Sequence, residues 1–159
     1  MKPDFKKLLL CIALPFITAV AVLSVFGFCS ISGDFFLNLK KPFFFPSKKF
    51  FCLCWGFICL ICGFSVYRVF NAFTTYENRK NSIASFVISM FFYFLWAVIF
   101  FGMKEFYFAF FWCLGLLVFV VSTMNNFKKS DALAGHLLLV QVIMTLYTAY
   151  LNFGIALFN

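Results

Sequence analysis

KFFCLCWGFICLICGFSVYRVF, residues 49–70, carries no charged side chain between Lys49 and Arg68. About 20 apolar residues in a helix cross the hydrocarbon core of a bilayer, and this stretch is long enough. Its aromatic and aliphatic side chains fall on every side of such a helix, not along one stripe. A helix that is apolar all round needs lipid or a large protein interior around it, and 159 residues cannot supply the second.

Four further runs of the same kind flank it, at about residues 8–28, 82–103, 106–125 and 132–158. Hydrophobic residues make up 65% of the chain and charged ones 11%, against roughly 25% charge in an average soluble domain. The fold class expected is therefore all-α, a single five-transmembrane-helix bundle, integral and multi-pass. The first run follows a basic start, as a signal peptide does, but it is long enough to span. No small-residue cleavage site follows it, and Phe28 precedes Cys29 where a lipoprotein would have a small residue. It is read as the first helix.

The formal net charge of +8 lies in short loops between the apolar runs, which is the distribution of a membrane protein and not of a nucleic-acid binder. Lys2, Lys6, Lys7, Arg79, Lys80, Lys128 and Lys129 fall on one side of a five-span topology. Lys40, Lys41, Lys48, Lys49 and Lys104 fall on the other. The imbalance favours an inside N-terminus only weakly. The partners expected are membrane lipid and a hydrophobic small molecule.

The loop at residues 29–48 is too apolar for a free linker, and Pro42 and Pro46 disfavour a continuous helix through it. Its segment Leu39-Lys40-Lys41-Pro42-Phe43-Phe44-Phe45-Pro46, followed by Phe51, Trp55 and Gly63, resembles the signature of the TspO/MBR family (translocator protein, tryptophan-rich sensory protein). In the third run, Trp96 followed by Phe100-Phe101-Gly102 resembles the family's N-x-x-W-x-x-x-F-F-G. In the last, Leu151-Asn152 resembles its closing L-N pair. The chain departs from the pattern in several places. Ser47 replaces the second proline, Lys49 a tryptophan and Cys59 a tyrosine; Phe35 stands for the Trp of a Trp-Tyr pair. Tyr93 replaces an asparagine, Met144 a tryptophan and Thr148 an alanine.

The resemblance implies a five-helix bundle that often forms a homodimer, in a bacterial cell membrane. It implies a pocket for porphyrins or other flat aromatic ligands, closed by the loop between the first two helices. A porphyrin or haem-like group would be a ligand, and no cofactor is required. By position, Trp55, Trp96, Phe108, Met144, Thr148, Leu151 and Asn152 would line the pocket, and Phe35, Phe36, Pro42, Phe44 and Pro46 would form the lid. Some bacterial members degrade protoporphyrin in light through two pocket tryptophans. Only one of those positions, Trp55, is retained here and the other is Met144, so light-driven chemistry through a tryptophan pair is not expected; the resemblance leaves porphyrin degradation open and implies a sensory or transport-related role.

The residues by themselves leave plainer readings open. Aromatic rings and thioethers suit a flat apolar guest, but they also simply pack helices together. Asn152 and Gln141 are polar groups in an apolar helix and are expected to hydrogen-bond between helices. His136 has no metal-ligating partner at helical spacing, which leaves it an interfacial residue or a lone axial ligand. The seven cysteines are scattered through apolar runs, which excludes a secreted disulfide framework. Cys59 and Cys62 have the C-x-x-C spacing of a thiol oxidoreductase, the competing function. A structural protein with a filled core is the third. Asp4, Asp34, Glu77, Glu105 and Asp131 all fall in terminal or loop segments, with no pair placed for acid–base catalysis.

Overall fold

The computed structural model describes residues 5–25 and 39–159, the side chains at 22–25, 48 and 52 excepted. Phe35 and Phe36 lie outside them. The described residues form helices and no strand: α1 (Phe5–Val25), α2 (Lys48–Asn71), α3 (Tyr76–Ala97), α4 (Phe106–Ser130), α5 (Ala132–Leu137) and α6 (Leu139–Phe158). A wider π-helical turn, Val98–Met103, prolongs α3. It ends at Lys104, whose φ of 58° is left-handed. α5 and α6 run as one rod broken at Leu138.

Four of these rods are long and apolar enough to cross a membrane: Lys49–Asn71, Tyr76–Met103, Phe106–Ser130 and Ala132–Phe158. Their outer faces carry Phe57 and Phe64, Phe91, Phe111 and Val118, and Ile143 and Leu157, all exposed. Water would not tolerate so much contiguous apolar surface. The chain is an integral, multi-pass membrane protein.

Two helices run further than their hydropathy suggests. α3 starts at Tyr76, six residues before the expected 82, because Thr75 caps it by accepting the Asn78 N–H at 3.3 Å. α4 continues through the expected loop 126–131 as far as Ser130. Phe127 and Ser130 are buried there, and the Ser82 hydroxyl bonds both the Ser130 hydroxyl and the Asn126 carbonyl, each at 2.9 Å. Asp131 then breaks the helix and caps α5 by accepting the Ala134 N–H at 2.8 Å. Polar residues that resemble loops are thus helix ends.

α4 is the central rod, packed on α3 and α6, while α1 lies against α2. Ser89 on α3 meets Thr123 on α4 at 2.8 Å, and Thr123 also donates to the Ser85 carbonyl at 3.0 Å. Small hydroxyl residues let two membrane helices approach closely, and each such bond contributes about 0.6 kcal/mol. Gly63 serves the same purpose at the α1–α2 crossing, where a Cβ would lie 2.5 Å from Ile12 Cα. One core layer, with Val69, Phe86, Phe127 and Leu138, fills the end of the bundle near α5. Another, with Trp96, Phe100, Ala109 and Ile155, fills the opposite end.

Candidate functional site

At that second end the chain from Leu39 to Ser47 is not a loose connection. Asn159 holds the Lys40 backbone on both sides, its Oδ1 accepting from the N–H and its Nδ2 donating to the carbonyl, each at 3.0 Å. The Tyr147 hydroxyl donates to the Phe44 carbonyl at 2.7 Å. Pro42 is buried against Gly154. Ser47 closes the segment by accepting the Phe50 N–H at 3.3 Å, which starts α2. A second proline at 47, in place of that serine, could not give this side-chain cap.

The docked loop roofs a cavity of about 380 Å³, the loop cavity. Its walls include Lys41, Phe45 and Pro46 from the loop, Phe51 from α2, Trp96, Phe100 and Phe101 from the α3 end, and Thr148, Leu151 and Asn152 from α6. A second cavity of about 290 Å³, the inner cavity, lies between α1, α2 and α3, with Pro15, Trp55, Cys59, Tyr93 and Trp96 among its walls. Phe51, Trp96 and Phe101 line both, so the two compartments share a wall of three aromatic rings. Each falls near the lower end of small-molecule pocket volumes.

Trp96 meets two further aromatic rings. Phe100 stacks on it at 5.6 Å between centroids and Phe101 meets it edge-on at 6.0 Å. Successive residues of an α-helix diverge by about 100°, yet these two neighbours reach the same ring, and both lie in the π-helical turn. Such turns recur at functional sites. Trp55 stands edge-on to Tyr93 at 5.4 Å.

The polar atoms of the site divide into satisfied and unsatisfied. Tyr93 bonds Thr145 through their hydroxyls, and the Thr145 hydroxyl donates on to the Gln141 carbonyl at 2.8 Å. Gln141 Oε1 accepts the Cys62 thiol at 3.4 Å, and Asn152 Nδ2 contacts Cys113 Sγ at 3.3 Å. Gln141 and Asn152 therefore do bond between helices. The indole N–H groups of Trp55 and Trp96, by contrast, are buried with no acceptor among the described residues. The third tryptophan, Trp112, donates to the Phe92 carbonyl at 3.1 Å. A buried donor left unmade costs about 1–3 kcal/mol, and folded proteins keep few of them. Apart from Arg79 Nε, at the polar end of α3, these two are the only such side-chain atoms among the described residues, and both rings line the inner cavity.

Across residues 11–158 the chain matches the model of the TspO/MBR family. The chain belongs to the TspO/MBR family. It is also 27% identical over 140 residues to a tryptophan-rich sensory protein of Cereibacter sphaeroides, covering 88% of this chain and 86% of that one.

Of the positions that TspO/MBR resemblance singles out, Trp55 and Trp96 line the inner cavity, and Trp96, Thr148, Leu151, Asn152 and Pro46 line the loop cavity. Pro42 anchors the roof, and Phe44 contributes its carbonyl while its exposed ring rests on Phe43. Two are elsewhere. Phe108 is half exposed and lines neither cavity, because α4 buries the adjacent Ala109 and turns Phe108 outward beside Trp112. Met144 packs against the core layer at the α5 end. Lys41, Phe45, Tyr93 and Phe101 are wall residues not singled out from the sequence as ligand contacts. Each carried a weaker signal: Lys41 and Phe45 lie inside the loop signature, Phe101 inside the F-F-G motif and Tyr93 at its asparagine position.

Cys59 and Cys62 both line the inner cavity, but each thiol has its own partner: the Pro15 carbonyl at 3.7 Å for Cys59, and Gln141 for Cys62. The described cysteines are free thiols, with no group of His, Cys, Asp or Glu among the described residues able to hold a metal. His136 is exposed, bonds the Ala132 carbonyl through Nδ1 at 2.6 Å, and lines neither cavity.

Proposed function

We propose that this TspO/MBR protein crosses the membrane five times, α1 included, and binds a flat, apolar aromatic ligand of the tetrapyrrole class in the inner cavity. Its role on this reading is sensory or transport-related. The observation that carries the proposal is the pair of unpartnered indole N–H groups on the cavity walls. A guest that brings acceptor atoms between Trp55 and Trp96 repairs both deficits, and stacking on their faces adds dispersion. A packed structural core has no use for two orphaned donors. The relative's name, tryptophan-rich sensory protein, supports the sensory reading, and its bacterial source supports a bacterial cell membrane. A homodimer belongs to the same reading, as the family resemblance implies.

The test is titration of the detergent-solubilised protein with protoporphyrin while tryptophan fluorescence is followed. Saturable quenching in the micromolar range is expected, weakened when Trp55 and Trp96 are both replaced by phenylalanine so that only Trp112 remains. Absence of saturable quenching, or identical titrations for the two proteins, contradicts the proposal.

A further inference from the structure

The two cavities differ in character. The inner one is walled almost wholly by apolar groups. The loop cavity has Lys41, Ser47, Thr148 and Asn152 in its wall and no carboxylate among its described lining residues. Lys41 is the only cation among those described lining residues. The ammonium is parked over the Phe45 ring, 5.7 Å from the centroid, and has no ion-pair partner among the described residues. The backbone on either side is fixed, at Lys40 by Asn159 and at Pro42 by Gly154. Ser47 and Phe51 bring the N-terminal turn of α2 into the same wall, and with it the positive end of a helix dipole. Trp96, only 6% exposed and with its N–H unpartnered, stands between the compartments.

We infer that the loop cavity takes the anionic edge of the ligand whose apolar body fills the inner cavity, and that Lys41 is the residue that reads that edge. This rests on the ligand-binding reading above and narrows it to aromatic acids. Lys49, the cation at a tryptophan position of the family signature, is exposed and lines neither cavity, so it takes no part.

The experiment compares protoporphyrin, which carries two carboxylates, with its dimethyl ester, which carries none, on the full-length protein in detergent. The unaltered protein, Lys41→Gln, Lys41→Arg and Lys49→Gln are titrated in parallel. The acid is expected to bind Lys41→Gln about five-fold more weakly than the unaltered protein, the scale of one partly exposed ion pair. Ester binding is unchanged, Lys41→Arg keeps the acid affinity and Lys49→Gln behaves as unaltered. Raising the salt concentration weakens the acid and not the ester on the unaltered protein, a readout that needs no variant. Equal affinities of Lys41→Gln and the unaltered protein for the acid, with no salt effect, overturn the inference and leave the binding reading intact. Failure of both acid and ester to bind the unaltered protein overturns the two together.

Discussion

Pro42 and Gly154, more than a hundred positions apart in the chain, are in direct contact: a Cβ on Gly154 would lie 2.6 Å from Pro42 Cβ and 2.9 Å from Pro42 Cγ. The proline ring cannot swing aside as a flexible side chain would, so the glycine is what lets the roof of the loop cavity lie flat on α6. Gly154→Ala is expected to lift the segment from Leu39 to Ser47 from the helix. The cost is about 1–3 kcal/mol of overpacking, read as a lower thermal midpoint in detergent and faster proteolysis within the segment. A variant as stable and as resistant as the original would show that the contact does not hold the roof down.

A second glycine sets the α1–α2 crossing. Gly63→Ala places a methyl group 2.5 Å from Ile12 Cα, which is backbone and can move only if the helices part. Gly115→Ala meets nothing within 4 Å and gains roughly 1 kcal/mol of helix propensity. The first substitution should lower the thermal midpoint and the second should leave it or raise it. Equal effects from the two would contradict the packing described.

Acid sensitivity follows from the other end of the bundle. The Asp131 carboxylate accepts from Arg68 Nε at 3.2 Å, from Arg68 Nη2 at 2.8 Å and from the Ala134 N–H at 2.8 Å. Burial acts to raise its pKa, but the Arg68 hydrogen bonds and charge and the backbone N–H groups outweigh it and hold the carboxyl below its ordinary value. A depressed folded pKa contributes stability that is complete above the unfolded value, about 3.9, and is lost as pH falls through the folded one. Thermal scans from neutral pH down to about pH 3 should show this loss below about pH 4. Asp131→Asn should lower the midpoint at neutral pH and flatten the acidic limb. An equally steep limb in the variant would assign the acid sensitivity to other groups.

Four of the five expected spans were legible in the sequence because lipid demands long apolar runs, and residues 49–70 satisfy that demand without reference to any partner. The helix ends were not. Residues 76–81 and 126–130 are polar and resemble loops, yet the Thr75 cap and the burial of Phe127 and Ser130 keep them helical. In the site, Trp55, Trp96 and Leu151 followed from family position. Phe108 did not, since a shift of one residue from the buried Ala109 rotates it out toward lipid. Lys41 and Phe45 became wall residues only through Tyr147, Gly154 and Asn159 on the last helix. The loop signature marks both residues, but contacts that distant do not show which wall they join.

The site also makes a prediction about chemical labelling. Cys59 and Cys62 are 6% and 2% exposed and line the inner cavity, whereas Cys54 is partly exposed. A small apolar thiol reagent should modify Cys54 whether or not protoporphyrin is present. It should modify Cys59 more slowly, and more slowly still when the cavity is filled. Mass spectrometry of the labelled peptides reads the difference, and protoporphyrin with no effect on Cys59 would place the guest elsewhere.

The most direct measurement is the indole N–H spectrum of the protein with its three tryptophans labelled with nitrogen-15, recorded in detergent with and without protoporphyrin. Trp55 and Trp96 should move as their N–H groups gain acceptors, while Trp112, already bonded to the Phe92 carbonyl, should stay in place. Three unmoved signals at saturating protoporphyrin, or a shift confined to Trp112, would contradict a guest held between the two indoles.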